Sequence, residues 1–166
     1  MNPFFIDQMA MYSAYHRNGR NRATHFVGIP LIVFAIFVPL AMVRVWDQVS
    51  LGMVLFVLAG LFYLWLDRTL GALMALVLLL LLVLGEWVAA QGTTTAWSVF
   101  AIAFVGGWAF QLVGHVYERR RPALADNLLQ ALIGPMFLVA ETAFALGFKR
   151  PMHDAVEARW SRYAAA

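Results

Sequence analysis

Four long apolar runs order the chain: Phe26–Val43, Leu51–Leu66, Leu70–Gly85 and Trp97–Val116, with short polar breaks between them. A helix that crosses a bilayer needs roughly 17–25 residues. The two middle runs are slightly short, and Trp65 and Trp87 extend them into the interface, where aromatic side chains are at home. The link "DRT" between these two runs is tight enough to make them an antiparallel hairpin. A fifth run, Leu128–Phe148, is interrupted by "IGP" at Ile133–Pro135 and carries Glu141. The opening "MNPFFIDQMAMYSAYHRNGR" lacks the basic start and continuous apolar core of a cleaved signal peptide, so it reads as a short amphipathic helix kept in the mature protein. The expected fold is an all-α integral membrane protein of about four transmembrane helices, with a broken or re-entrant fifth segment and a short N-terminal amphipathic helix. It forms one domain, residues 1–166: the amphipathic segment 1–20, a helical membrane bundle 22–148 and a basic tail 149–166.

Composition agrees. Of 166 residues, 63% are hydrophobic and 13% charged, against roughly 45–50% apolar and about 25% charged in a soluble domain. There is too little polar surface to cover a soluble globule. Cysteine is absent, which excludes disulfides, thiolate metal sites and cysteine nucleophiles. The net charge is +3, but the basic residues lie between apolar runs, which points to a membrane and not to nucleic acid.

Charge also sets the topology. Arg17, Arg20 and Arg22 precede the first run, "ERRRPALADN" follows the fourth, and Lys149, Arg150, Arg159 and Arg162 follow the fifth; Gln91–Thr95 has no charge. With four spans, the first two basic segments fall on one side, the cytoplasmic one by the positive-inside rule. A fully spanning fifth run would carry the basic tail outside. The Gly134-Pro135 break offers a re-entrant or interfacial path instead, and such backbone is tolerated where protein covers it. The absence of an extended tail or retention signal favours a bacterial inner membrane, with the endoplasmic reticulum the expectation for a eukaryotic source.

A segment that only crosses a membrane has no use for the histidines in "AYHRNGRNRATHFVGIP". His16 and His25 would face opposite sides of one continuous helix. Asn18-Gly19 stops a helix and Asn21 is a good N-cap for the next, so the chain turns here and brings His16 back toward His25. His115 and Glu118, in "GHVYERRRPAL", are spaced i, i+3 on one helix face, a half-site of helical iron-carboxylate proteins. An even number of spans puts His25 and His115 at one membrane depth, a parity obtained without using the histidines. The bland readings are interfacial polar residues, which suits His153, or structural hydrogen-bond partners. Glu86 reads as partly solvated at the outer end of the third span. Glu141, a carboxylate inside an apolar run, is either functional or satisfies backbone freed by the break.

At these residues the sequence resembles the small membrane 2-hydroxy fatty acid dioxygenases of lipid α-oxidation. The matching pieces are "YHRNGRNRATHFVGIP", "GWAFQLVGHVYERRRPALADNLLQALIGPMFLVAE" and "LGF". The resemblance implies an Fe(2+)-dependent enzyme that uses O2 to shorten a 2-hydroxy fatty acid by one carbon. In eukaryotes the family serves phytosphingosine breakdown at the endoplasmic reticulum. The family's functional histidines carry over onto His16, His25 and His115, and His153 stays outside. Glu118 is then either a fourth ligand or an acceptor that orients a histidine. A 2-hydroxy acid can chelate a metal through its carboxylate and hydroxyl. Arg119, Arg120 or Arg121 can grip the carboxylate, with Arg119 and Arg120 the favoured candidates. Arg119, one turn beyond His115, is the first choice if the helix continues that far. Asn21 is a further candidate for substrate binding. The fatty chain would lie among the spans, with membrane lipid around them.

Two other classes compete. Membrane di-iron hydroxylases and desaturases need about twice as many histidines, in clustered boxes that this chain lacks. A small transporter or lipid-organising protein could use the histidines as a proton relay without metal.

Overall fold

The computed structural model describes residues 1–164; Ala165 and Ala166, the end of the tail, lie outside them. The elements in chain order are α1 (Pro3–Ala14), α2 (Gly19–Met42), a hairpin of β1 (Arg44–Trp46) and β2 (Val49–Ser50), α3 (Leu51–Leu66), α4 (Arg68–Ala89), α5 (Thr93–Glu118), α6 (Gln130–Ala145) and α7 (Arg150–Glu157). Short 3-10 turns cover Ala123–Ala125 and Trp160–Tyr163.

α2, α4 and α5 are long and apolar enough to cross a membrane. α3 has 16 residues, or about 24 Å at 1.5 Å per residue, against a hydrocarbon core near 30 Å. It does not gain the expected extension at Trp65, because Asp67 ends it. The Asp67 side chain accepts the N–H groups of Thr69 and Leu70 and so starts α4 at once. The "DRT" hairpin is therefore as tight as the sequence implies.

α2 and α5 form the closest pair, and they run antiparallel. A Cβ at Gly28 would meet Gln111 and Gly107, one at Gly107 would meet Ile32, and one at Gly114 would overlap Thr24 and Asn21. Small residues thus let the two backbones approach, the usual device where lipid removes the hydrophobic drive for helix association. The outward faces carry exposed Leu58, Leu76, Val83, Ile102 and Val105, as expected of side chains that meet lipid.

The chain turns between His16 and His25 as expected, but with different caps. α1 ends at Ala14, and Asn18, not Asn21, accepts the Arg20 N–H as the N-cap of α2. Asn21 lies inside the first turn of α2 and points inward. α1 is no loose surface helix. Phe5, Ile6, Met9, Ala10 and Tyr12 are buried against the rest of the chain.

The fifth segment differs most from its reading. α6 runs through Gly134 and Pro135 unbroken. The break comes later, with a bend of 117° between α6 and α7. There the Phe148 N–H bonds to the Ala143 carbonyl and the Gly147 N–H to that of Phe144. Gly147 sits at φ +82. This is a Schellman ending, which needs a left-handed residue at that place. The polar anchors of α6 lie at the end of the bundle that holds His25 and His115. Gln130 bonds to Gln8, the Leu132 carbonyl accepts from Tyr63, Glu141 pairs with Arg22 at 2.7 Å, and Lys149 pairs with Asp67 at 2.9 Å. The start of α6 and the bend that follows it therefore lie at one end of the bundle. Glu141 is an ion-pair partner and does not satisfy freed backbone.

Candidate metal centre

His16 follows α1, His25 lies in the second turn of α2, and His115 lies in the last turn of α5. All three are buried, with 2%, 2% and 7% exposure. Their rings meet edge to face, with centroids 4.5 to 5.2 Å apart. One nitrogen from each lies within 4.8 Å of the others. Among the described residues this is the one group of three or more histidines and carboxylates able to share an ion.

The hydrogen bonds fix the tautomers. His16 Nδ1 lies 2.7 Å from the Tyr12 carbonyl, and His25 Nδ1 lies 2.9 Å from the Asn21 carbonyl. A carbonyl only accepts, so each Nδ1 carries the proton and each Nε2 is left with a lone pair. Those two Nε2 atoms face each other at 3.0 Å. Two lone pairs at that distance repel unless a cation lies beside them. Histidine ligands commonly donate their second nitrogen to a backbone carbonyl. Burial first, and then the neighbouring His25, push the His16 imidazole well below its ordinary value, so it stays neutral at pH 7. The Tyr12 ring stacks on His16 at 4.0 Å, nearly parallel, and holds it in place.

Glu118 is not part of this cluster. One carboxylate oxygen accepts the Arg17 N–H at 3.0 Å, and the other accepts the Asn18 N–H at 2.8 Å and Asn21 Nδ2 at 3.0 Å. It clamps the turn that carries His16. The i, i+3 spacing from His115 places it near the site, but its oxygens are taken up by that turn and it is not among the groups close enough to share an ion with the histidines. Asn21 uses its amide on Glu118 and on the Tyr15 carbonyl, so it braces the same turn.

The arginines are also placed otherwise than expected. α5 ends at Glu118, and Arg119 takes the left-handed conformation at φ 56 and is exposed. The helix face expected to carry Arg119 past His115 does not exist. Arg120 turns inward, with its guanidinium on the Ala14 and Tyr163 carbonyls and over the Tyr15 ring at 3.7 Å. It ties α1, the α5 end and the C-terminal tail together. Arg121 pairs with Asp126, which also accepts the Tyr15 hydroxyl. His153 lies in the tail beside Asp154, away from the cluster.

A cavity of about 390 Å³ opens from the histidines into the bundle. On α2 it passes His25, Ile29, Ile32, Val33, Ile36 and Phe37; on α5 it passes His115, Gln111, Trp108 and Phe104. The α2 stretch from His25 to Phe37 is about 18 Å long at 1.5 Å per residue. Gln111 and Tyr12 in this wall were not singled out from the sequence. For Gln111 a signal existed: it is the one amide in the apolar run, one turn before His115.

A family model, 2-hydroxy-palmitic acid dioxygenase Mpo1-like, matches residues 4–146. The 2-hydroxy-palmitic acid dioxygenase MPO1 of Saccharomyces cerevisiae is 40% identical over 144 residues, covering 85% of this chain and 80% of the yeast protein. The chain belongs to the Mpo1-like family. The match spans α1 to the end of α6 and so includes all three histidines and the whole cavity. No solved structure matches.

Proposed function

We propose that this chain is a membrane dioxygenase that uses Fe(2+) and O2 to shorten 2-hydroxy fatty acids by one carbon. The observation that carries this is the 3.0 Å approach of two unprotonated histidine nitrogens at the head of a long apolar cavity. The family and the yeast relative, named for 2-hydroxypalmitic acid, support the substrate class.

His16, His25 and His115 would hold the metal, and three imidazoles with open positions suit iron(II). When bound, the iron supplies a site where O2 and the 2-hydroxy acid meet. The balance closes without another reductant: the acid and O2 give an acid one carbon shorter, CO2 and water. The protein's own part is to orient and to exclude water. Tyr12 and Asn21 fix the rings of His16 and His25 through their carbonyls, and Glu118 fixes the turn between them. The cavity takes the alkyl chain and keeps its reacting end at the histidines. Its volume lies within the roughly 300–1,000 Å³ of small-molecule sites.

The basic segments favour the cytoplasmic side for the metal centre. A bacterial inner membrane or the endoplasmic reticulum would suit it equally in physical terms. The test is O2 consumption with 2-hydroxypalmitate by anaerobically purified, iron-loaded protein. Uptake stoichiometric with formation of the acid one carbon shorter is expected, and no uptake would refute the proposal.

A further inference from the structure

We propose that Gln111 recognises the 2-hydroxyl group of the bound acid and is the residue that separates 2-hydroxy acids from plain fatty acids. The inference rests on the reading of the site as one for 2-hydroxy fatty acids.

Gln111 is 7% exposed, and its Nε2 is buried with no hydrogen-bond partner among the described residues. It lines the cavity. It lies one turn from His115, on the side toward the middle of the bundle. Its amide lies against the bare Cα of Gly28, where a Cβ would overlap it. An amide in so apolar a wall is costly to bury unpaired, and it becomes economical only when a ligand completes it.

The direction of the cavity says which ligand atom that is. With the carboxylate alone at the histidines, in place of the carboxylate-and-hydroxyl chelate that such an acid also permits, the chain runs past Gln111 toward Trp108 and Phe104 on α5, and toward Ile32 and Ile36 on α2. On α5, Gln111 is thus the first polar side chain beyond His115, and C2 is the first carbon beyond the carboxylate. On α5, the cavity wall past Gln111 is made by the rings of Trp108 and Phe104. A hydroxyl both donates and accepts, so it pairs with an amide in either orientation. A C2 methylene pairs with neither and leaves the amide buried and unsatisfied. Gln130 also lines the cavity with an unpartnered oxygen, but its nitrogen is bound to Gln8, two turns of α1 before His16. That bond ties it to the first half of α1, whereas Gln111 shares a helix face with His115 one turn away.

The test measures binding without turnover. Iron-loaded protein in detergent under nitrogen is titrated with 2-hydroxypalmitate and with palmitate by calorimetry. The native protein should bind the hydroxy acid roughly ten- to a hundredfold tighter, the range for one hydrogen bond in a buried site. In Gln111→Leu that preference should collapse to within about threefold. The loss should fall on 2-hydroxypalmitate, while palmitate binds as well or better and iron content stays the same. If Gln111→Leu does not fold or loses iron, Gln111→Met, unbranched and of similar length, serves in its place. A preference that survives in the folded, iron-loaded variant overturns the role of Gln111 and leaves the proposed function standing. Equal weakening of both acids also overturns it, because that is the mark of packing. Failure of the native protein to bind either acid overturns both readings.

Discussion

His16 and His25, nine residues apart in sequence, bring their Nε2 atoms to 3.0 Å, each with its Nδ1 on a backbone carbonyl four residues back. Neither nitrogen can relieve the contact by changing tautomer without giving up a buried hydrogen bond. The approach is therefore a built feature of the turn between α1 and α2.

The turn itself depends on Glu118. Replacing Glu118 by Gln keeps the shape but weakens three bonds to the carboxylate. Bonds to a charged group contribute about 1.5–3 kcal/mol each at most. The variant should melt at lower temperature and bind iron about ten- to a hundredfold more weakly, as for residues that orient ligands. Its iron-edge X-ray spectrum should be unchanged once loaded, since no carboxylate is lost from the metal. A changed coordination shell would restore Glu118 as a ligand.

Arg119→Lys should leave stability and KM near native values, because Arg119 is exposed at a left-handed helix end. Arg119→Gly should stabilise the protein by about 1 kcal/mol by relieving that backbone. Arg120→Lys should lower the melting temperature, because lysine cannot span the two carbonyls and cover Tyr15 at once. A strong KM effect in Arg119→Lys would return the arginine run to substrate binding.

Much of this was legible in the sequence for stated reasons. The long spans follow from hydrophobic length, and the meeting of His25 with His115 follows from counting spans. Helix ends were less legible. The Arg119 cap depends on one left-handed residue, and arginine gives no hint of it as glycine would. Gly134-Pro135 looked like a break, yet the helix runs through it, and Gly147, thirteen positions on, makes the real bend. Glu118 had the spacing of a ligand, but the N–H groups that claim it come from a turn about a hundred residues away.

The cavity sets a ruler for chain length. Each methylene it buries contributes about 0.8 kcal/mol, or roughly fourfold in KM. Ala59 lies in the cavity wall on α3. Ala59→Phe should therefore penalise 2-hydroxypalmitate and leave 2-hydroxyoctanoate almost unaffected, as read from kcat/KM across a series of acids. A uniform loss for all lengths would contradict this path for the chain.

Acid should loosen the tail. Burial pushes the Asp67 carboxyl up, but the Leu70 N–H, the Lys149 ammonium and the Thr69 N–H outweigh it and hold it below the usual carboxylate value. A depressed folded value means the contribution is present above the ordinary carboxylate pKa and is lost as pH falls through the lowered one. Native protein should thus lose stability in that acid window more steeply than Asp67→Asn, in melts between pH 6 and 3. Identical profiles would mean the tie to Lys149 contributes nothing.

The tail should lie on the same side as the metal centre. Cysteines placed singly at Asn2 and Ser161 of this cysteine-free chain should react with an impermeant thiol reagent from one side, and a cysteine at Thr94 from the other. Opposite labelling of Asn2 and Ser161 would show that the fifth segment crosses.

The most direct measurement of the central claim is the iron content of protein purified and loaded under nitrogen, beside His16→Ala, His25→Ala, His115→Ala and His153→Ala. The account predicts about one iron per chain in the native protein and in His153→Ala, and loss of tight binding in each of the other three. Full iron in His25→Ala, or none in the native protein, would contradict it.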